Sequence, residues 1–292
     1  MTSRCKIVLF EEKHEHIALA LEFCGQHAQK RQKSITGKEV AMAGHSKWAN
    51  IQHRKGAQDK KRAVLFSRLS KEITIASKMG GPDPDGNPRL RLAIKNARAE
   101  SIPKDNIKRA VDKGQGGGGA DFEDVRYEGF GPGGVGVIVE ASTDNRNRAA
   151  SEIRTAFAKN GGNLGETGSV SFGFDQVGEI IYPSEIGDEE AVMDAAIDAG
   201  AEDVASQGDV HIIYTAREEM MDVATNLDAA FPDVEAKSTK LIWKPQNNVP
   251  VEGGPAETLM KLLDVLDELD DVQNVYDNSE LSEAEMERLA NA

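Results

Sequence analysis

Residues 127–148 read YEGFGPGGVGVIVEASTDNRNR. Gly129, Gly131 and Gly134 within it fit the Gly-x-Gly-x-x-Gly spacing. A dinucleotide site needs that spacing after a strand and at the opening of a helix. Here it is followed by Val135-Gly136-Val137-Ile138-Val139, an apolar β-branched run that reads as a strand. The glycines therefore predict a turn between two strands rather than a phosphate loop. The strand, expected over Val135–Thr143, leads into Asp144-Asn145-Arg146-Asn147-Arg148 and a helix to about residue 160. Ile153, Ala156 and Phe157 give that helix an apolar face, and Gly161-Gly162 ends it. Asp144 or Asn145 is suited to the N-cap. Arg146 and Arg148 at the helix start are placed to bind an anion beside free backbone N–H groups. The plainer alternative is a cap with a local Arg–Asp pair.

Downstream, strand-like segments are expected at Ser169–Phe174 and Val177–Tyr182, then a helix near 188–199. Strands follow near 202–206 and 209–215, a helix from 216 to about 229, and a strand over 234–243. The last segment offers a helix carrying Leu259, Leu262, Leu263, Leu266 and Leu269, then a strand at Val272–Tyr276. Several strands are consecutive, which implies mixed sheets with helices packed on one face, an α+β class. Two modules are expected: one from 121–168 with 244–292, the other from the inserted stretch 169–243. Asp264, Asp267, Glu268, Asp270 and Asp271 cluster near the C-terminal helix, as a solvated face or as a surface for cations or a basic partner.

Upstream, the glycine-rich stretch 114–120 reads as a linker. Before it, residues 45–71 read HSKWANIQHRKGAQDKKRAVLFSRLSK. Leu65, Phe66, Leu69, Ile73 and Ala76 recur at helical spacing, predicting a helix over about 57–78 that Gly80-Gly81-Pro82 stops. Pro88 starts a second helix with Leu90, Ile94 and Ala97 on one face. Ser101-Ile102-Pro103 reads as the start of a third, with Ser101 as N-cap. Residues 42–113 thus form a small all-helical domain. Lys60, Lys61, Arg62, Arg68 and Lys71 lie off the apolar stripe, and Lys47, Trp48, Arg54 and Lys55 precede it. Lys and Arg supply phosphate contacts and an aromatic supplies a stacking surface, so these nine residues are the expected nucleic-acid contacts. His45 and His53 stand without a partnered carboxylate or nucleophile in sequence and read as surface residues.

The chain has 292 residues and a net charge of −14, and the charge is segregated. Residues 42–113 carry 17 Lys and Arg against 7 Asp and Glu, for +10; residues 114–292 carry 11 against 37, for −26. Nucleic-acid binding follows local potential, so the basic block argues for it despite the acidic total. No stretch has the roughly 18 consecutive apolar residues of a membrane helix. Two cysteines, Cys5 and Cys24, exclude a disulfide scaffold and fit a reducing compartment. Arg4 and Lys6 precede only a four-residue apolar run, Ile7–Phe10, too short for a signal peptide. Residues 12–32 can form an amphipathic helix. His14, His16, Cys24 and His27 do not make a standard zinc spacing, so no metal site is expected. No hydrolase, Walker or metalloprotease motif appears, and neither catalysis nor a cofactor is expected.

These residues carry a resemblance. Met42-Ala43-Gly44-His45-Ser46-Lys47-Trp48-Ala49-Asn50-Ile51, Asn87-Pro88-Arg89-Leu90-Arg91, Tyr127–Gly134, Asp144–Arg148, Gly161-Gly162-Asn163-Leu164-Gly165, Ala199–Asp203 and Asp271–Tyr276 are similar to motifs of the YebC/PmpR family, in the same order, from 42 to about 285. The resemblance implies a helical N-terminal domain and two α+β domains in a cytoplasmic protein. It implies a DNA-binding transcriptional regulator or, as in mitochondrial relatives, a translation factor that acts with ribosomal RNA at the ribosome, in some cases on proline-rich stalls. Oligomeric state stays open. Family members begin at the position of Met42, so residues 1–41 are expected to be an extension or a misassigned start.

Overall fold

The computed structural model describes residues 58–116 and 122–291. The helix expected over 12–32, the His14, His16, Cys24 and His27 set, and part of the glycine linker lie outside them. The described residues belong to one compact unit.

Three helices come first: α1 (Gln58–Gly80), α2 (Pro88–Ala99) and α3 (Lys104–Gln115). Their apolar stripes meet in one buried cluster of Ile73 and Ala76 from α1, Leu90, Ala93, Ile94 and Ala97 from α2, and Ile107 and Ala110 from α3. Gly81, at φ +91°, ends α1 in the left-handed region. Buried Asn87 caps α2 by accepting from the Leu90 N–H at 3.1 Å. Its amide donates to the Ala76 and Gly81 carbonyls at 2.7 and 2.9 Å, stitching the end of α1 to the start of α2.

The expected N-cap at Ser101 is corrected. The cap of α3 is Pro103, and no side chain caps it. Ser101 instead closes α2 in the left-handed region, at φ +59°. Its N–H donates to Arg98 O at 2.8 Å and the Ile102 N–H to Ala97 O at 2.9 Å. This is the Schellman pattern, and Ile102 completes it by burying beside Ala97. The terminator of one helix and the initiator of the next overlap here, and the terminator takes the serine.

Strands β1 (Glu123–Phe130) and β2 (Gly136–Thr143) form a hairpin around the turn Pro132–Gly134. Then come α4 (Arg146–Lys159), β3 (Asn163–Leu164) and, near the C-terminus, α7 (Gly253–Asp267) and β9 (Val272–Asp277). The sheet order is β3-β1-β2-β9. Val137, Val139 and Ala141 of β2 face α4 and α7, meeting Ile153, Phe157, Leu259, Leu262, Leu263 and Leu266. Each glycine of the hairpin has a steric reason. A Cβ on Gly129 would stand 2.7 Å from Asn163 O and 2.8 Å from the Phe157 ring, while Gly133 and Gly134 turn the chain at φ +79° and +78°.

Between β3 and β9 lies β4 (Phe174–Pro183), α5 (Glu189–Ala199), β5 (Asp203–Gln207), β6 (Val210–Ala216), α6 (Met220–Ala230) and β7 (Ser238–Pro245). The order β5-β6-β4-β7 makes this βαββαβ run a split-βαβ, ferredoxin-like sheet. Helices α5 and α6 cover one face through Val192, Ala196, Val223, Ala224 and Leu227 against Ile180, Tyr182 and Ile213. The expected mixed sheets are corrected: both four-stranded sheets are wholly antiparallel, and the parallel pair is the short β8 (Val249–Pro250) with β10 (Ser279–Glu280). Each βαβ crossover returns parallel but leaves a one-strand gap, which another strand fills antiparallel. A last helix, α8 (Glu283–Asn291), was not expected.

The strand expected at Ser169–Phe174 is also corrected. It is a short 3-10 turn, Ser171–Gly173. Buried Glu128 causes this, because its Oε2 accepts from the N–H groups of Val170 and Ser171, both at 2.9 Å. Burial works to raise the Glu128 pKa, but backbone hydrogen bonds from Ser171, Val170 and Gly168 outweigh it and hold it low.

The two sheets meet at Glu140 of β2. Its Oε1 accepts from Trp243 Nε1 of β7 at 2.9 Å, and its Oε2 from Asn274 Nδ2 of β9 at 3.1 Å. Arg126 stacks over the Trp243 ring, 4.8 Å from its centroid.

Candidate nucleic-acid interface

The expected contacts divide into three groups. Lys47, Trp48, Arg54 and Lys55 lie outside the described residues, as do His45 and His53. Lys60, Lys61 and Arg62 sit in the first turns of α1, and the exposed Arg62 guanidinium lies 5.2 Å from the centroid of the Phe66 ring. Arg68 and Lys71 stand about two turns further on, and both are turned onto the acidic body.

Arg68 Nη1 donates to Asp267 Oδ1 at 3.1 Å, and its Nη2 to the Asp267 carbonyl at the last residue of α7. A cation suits that place, where the helix dipole is negative. Lys71 Nζ bonds the Ser142 carbonyl and lies 3.2 Å from Asp271 Oδ1. It also lies 4.9 Å from the centroid of the Phe122 ring.

Asp271 is the hub of this junction. Its Oδ2 accepts from Thr143 Oγ1 at 2.9 Å and from Arg148 Nη2 at 2.8 Å. Burial works to raise its pKa, but hydrogen bonds from Arg148, Thr143 and Lys71 outweigh it, and the carboxyl lies below its ordinary value. The acidic cluster read in the sequence is thus partly the counter-surface of the chain's own basic helix, through Asp267 and Asp271.

Two further ion pairs join the helical layer to the body, one to strand β1 and one to helix α6. Arg89 binds Glu72 of α1 through two nitrogens, at 2.7 and 3.0 Å, and reaches Asp124 of β1 at 3.0 Å. The Glu72 hydrogen bond, opposed by burial, holds its pKa above the ordinary arginine value. Lys95 pairs with Asp228 of α6 at 2.7 Å. Between them, Asn96 donates to Thr239 O at 2.9 Å and accepts from its N–H at 3.2 Å, anchoring α2 to β7.

The pair read at the start of α4 resolves into a cap and a local ion pair. Asn145 is the N-cap, accepting from the Arg148 N–H at 3.1 Å. Arg148 Nη2 binds Asp144 at 2.8 Å as well as Asp271. Arg146 is exposed, 3.9 Å from Glu123.

Sequence reasoning passed over the cations that face solvent on α2 and α3. Arg91, Arg98, Lys104, Lys108, Arg109 and Lys113 are exposed. Among the described residues none of them forms an ion pair. Their signal was present in the +10 charge of the domain, but they are spaced along two helices instead of forming a run. Among the described residues no group of His, Cys, Asp and Glu is arranged to hold a metal ion, and no helix is long and apolar enough to cross a membrane.

Comparison with known proteins matches the helical layer and the two sheets to domains of one family. Residues 46–117 match the family model of the TACO1/YebC protein N-terminal domain, and residues 122–279 that of the TACO1/YebC second and third domain. The chain belongs to the YebC family. It is 70% identical over 250 residues to a "probable transcriptional regulatory protein" of Hyphomonas neptunium, covering 85% of this chain and 99% of that one. It is 64% identical over 254 residues to a protein of the same description in Maricaulis maris, covering 85% of this chain and 100% of that one. The crystal structure of a conserved hypothetical protein from Aquifex aeolicus superposes with a TM-score of 0.71 at 46% identity, over 77% of this chain and 93% of that one.

Proposed function

We propose that this protein is a non-enzymatic, cytoplasmic regulator of transcription that binds DNA through its basic helical domain, residues 42–113. The observation that carries this reading is the charge segregation, +10 in the helical domain against −26 beyond it. The relatives' description as transcriptional regulatory proteins points the same way. Phosphate neutralisation by Lys60, Lys61, Arg62 and the exposed cations of α2 and α3 would supply affinity, and phosphate contacts alone supply little sequence specificity.

A second reading is a ribosome-associated translation factor whose basic layer sits on ribosomal RNA. The −26 charge of residues 114–292 favours it, since an acidic body suits basic ribosomal proteins. Low-salt sucrose gradients of a lysate, with and without RNase, separate the two. Migration apart from ribosomal particles, or association sensitive to DNase alone, supports the transcriptional reading. RNase-sensitive co-migration with the particles supports the translational one and sinks the first.

A further inference from the structure

We propose that Asp267 and Asp271 act as an internal phosphate mimic, an autoinhibitory latch that holds Arg68 and Lys71 against the body until a nucleic-acid backbone displaces it. The inference rests on the nucleic-acid reading above.

Four observations combine. Arg68 and Lys71 stand three residues apart on α1, hence on one face of the helix whose first turns carry Lys60, Lys61 and Arg62. Their acceptors are two carboxylates, Asp267 and Asp271, and three backbone carbonyls, Ser142, Asp267 and Asp270, all of them oxygens such as a phosphate backbone would offer two cations. The docking is polar: ion pairs Arg68–Asp267, Lys71–Asp271, Arg89–Asp124 and Lys95–Asp228 bridge a helical cluster and sheet clusters that share no buried residue. Finally, Arg68 Nε is buried with no acceptor among the described residues, so the closed state leaves one guanidinium donor unused.

The Arg68–Asp267 pair, with its partly exposed carboxylate, is worth only about 0.2–1 kcal/mol and weakens with salt, so a polyanion can compete first for Arg68, while the largely buried Lys71–Asp271 pair holds more strongly. The Asp267 side chain is the exposed member, at 41% against 8% for Asp271. Displacement would therefore begin at Asp267. Opening adds two phosphate contacts to those of the first turns of α1, and the acidic body discriminates against weak or transient anions.

The test uses the full chain with a labelled 20-base-pair DNA duplex and an RNA hairpin of equal stem length, at about 50 mM salt, read by anisotropy and by hydrogen exchange. Asp267→Asn removes the mimic's charge but keeps its carbonyl. It should bind about 2- to 5-fold tighter than the wild type, the worth of one such pair. Asp267→Glu should return affinity toward wild type. Bound probe should speed amide exchange over 264–272 in the wild-type chain, and the probe that does so at lower concentration identifies the source of the phosphates. Equal or weaker binding by Asp267→Asn, or unchanged exchange over 264–272 in a chain that does bind, overturns the latch and leaves the nucleic-acid reading standing. Failure of both chains to bind either probe overturns that reading and the latch with it.

Discussion

Lys71 Nζ on the first helix lies 3.2 Å from Asp271 Oδ1 at the start of β9, two hundred residues further along the chain. The same carboxylate receives Thr143 and Arg148. One side chain therefore ties together the basic layer, the end of β2, the first turn of α4 and the entry to β9.

Asp271→Ala should destabilise the chain by about 3 kcal/mol, because it strands Lys71 and removes a partner of Arg148 in a largely buried setting. The urea midpoint measures it. The carboxyl's folded pKa is depressed, so its contribution is present above the unfolded value near 3.9 and is lost as pH falls through the lower folded value. The stability gap between wild type and Asp271→Asn should hold from pH 7 to about 5 and close below about pH 4. A gap that begins to close above pH 6 would mean that another group sets it.

Ser101→Gly should stabilise by roughly 0.5–1 kcal/mol, since a non-glycine residue at φ +59° carries a left-handed penalty of about 1–2 kcal/mol. Ser101→Val should destabilise by more than that. Thermal midpoints distinguish this from a capping role, in which glycine would cost a few tenths of a kcal/mol.

Gly129→Ala should cost about 2 kcal/mol or more, because its Cβ meets a carbonyl oxygen and a ring that cannot both move away. Gly134→Ala has open space and should cost only the left-handed penalty of about 1–2 kcal/mol. Denaturation midpoints of the two variants check the order. The reverse order would contradict the packing account of this glycine-rich turn.

The hairpin, the helical core and the α+β class were legible because each rests on local periodicity: Val137, Val139 and Ala141 alternate, and Leu90, Ile94 and Ala97 recur at helical spacing. Ser101 was misread because serine is a common N-cap and its left-handed φ has no sequence signature. The 169–174 turn was misread because Glu128, some forty residues upstream, takes its backbone donors. The same limit applied to the basic residues. A run of cations shows that a surface is charged, but the carboxylates that occupy Arg68 and Lys71 come from positions 267 and 271. The fate of those two cations was settled by tertiary structure alone.

The most direct test is the salt dependence of duplex binding by the full chain, beside a Lys60→Glu, Lys61→Glu, Arg62→Glu variant. With roughly five phosphates engaged, log affinity should fall against log salt with a slope of about −4 to −5. The variant should bind more weakly and with a shallower slope, at an unchanged thermal midpoint. A flat salt response, or equal affinity in the variant, would contradict nucleic-acid binding by the basic helical layer.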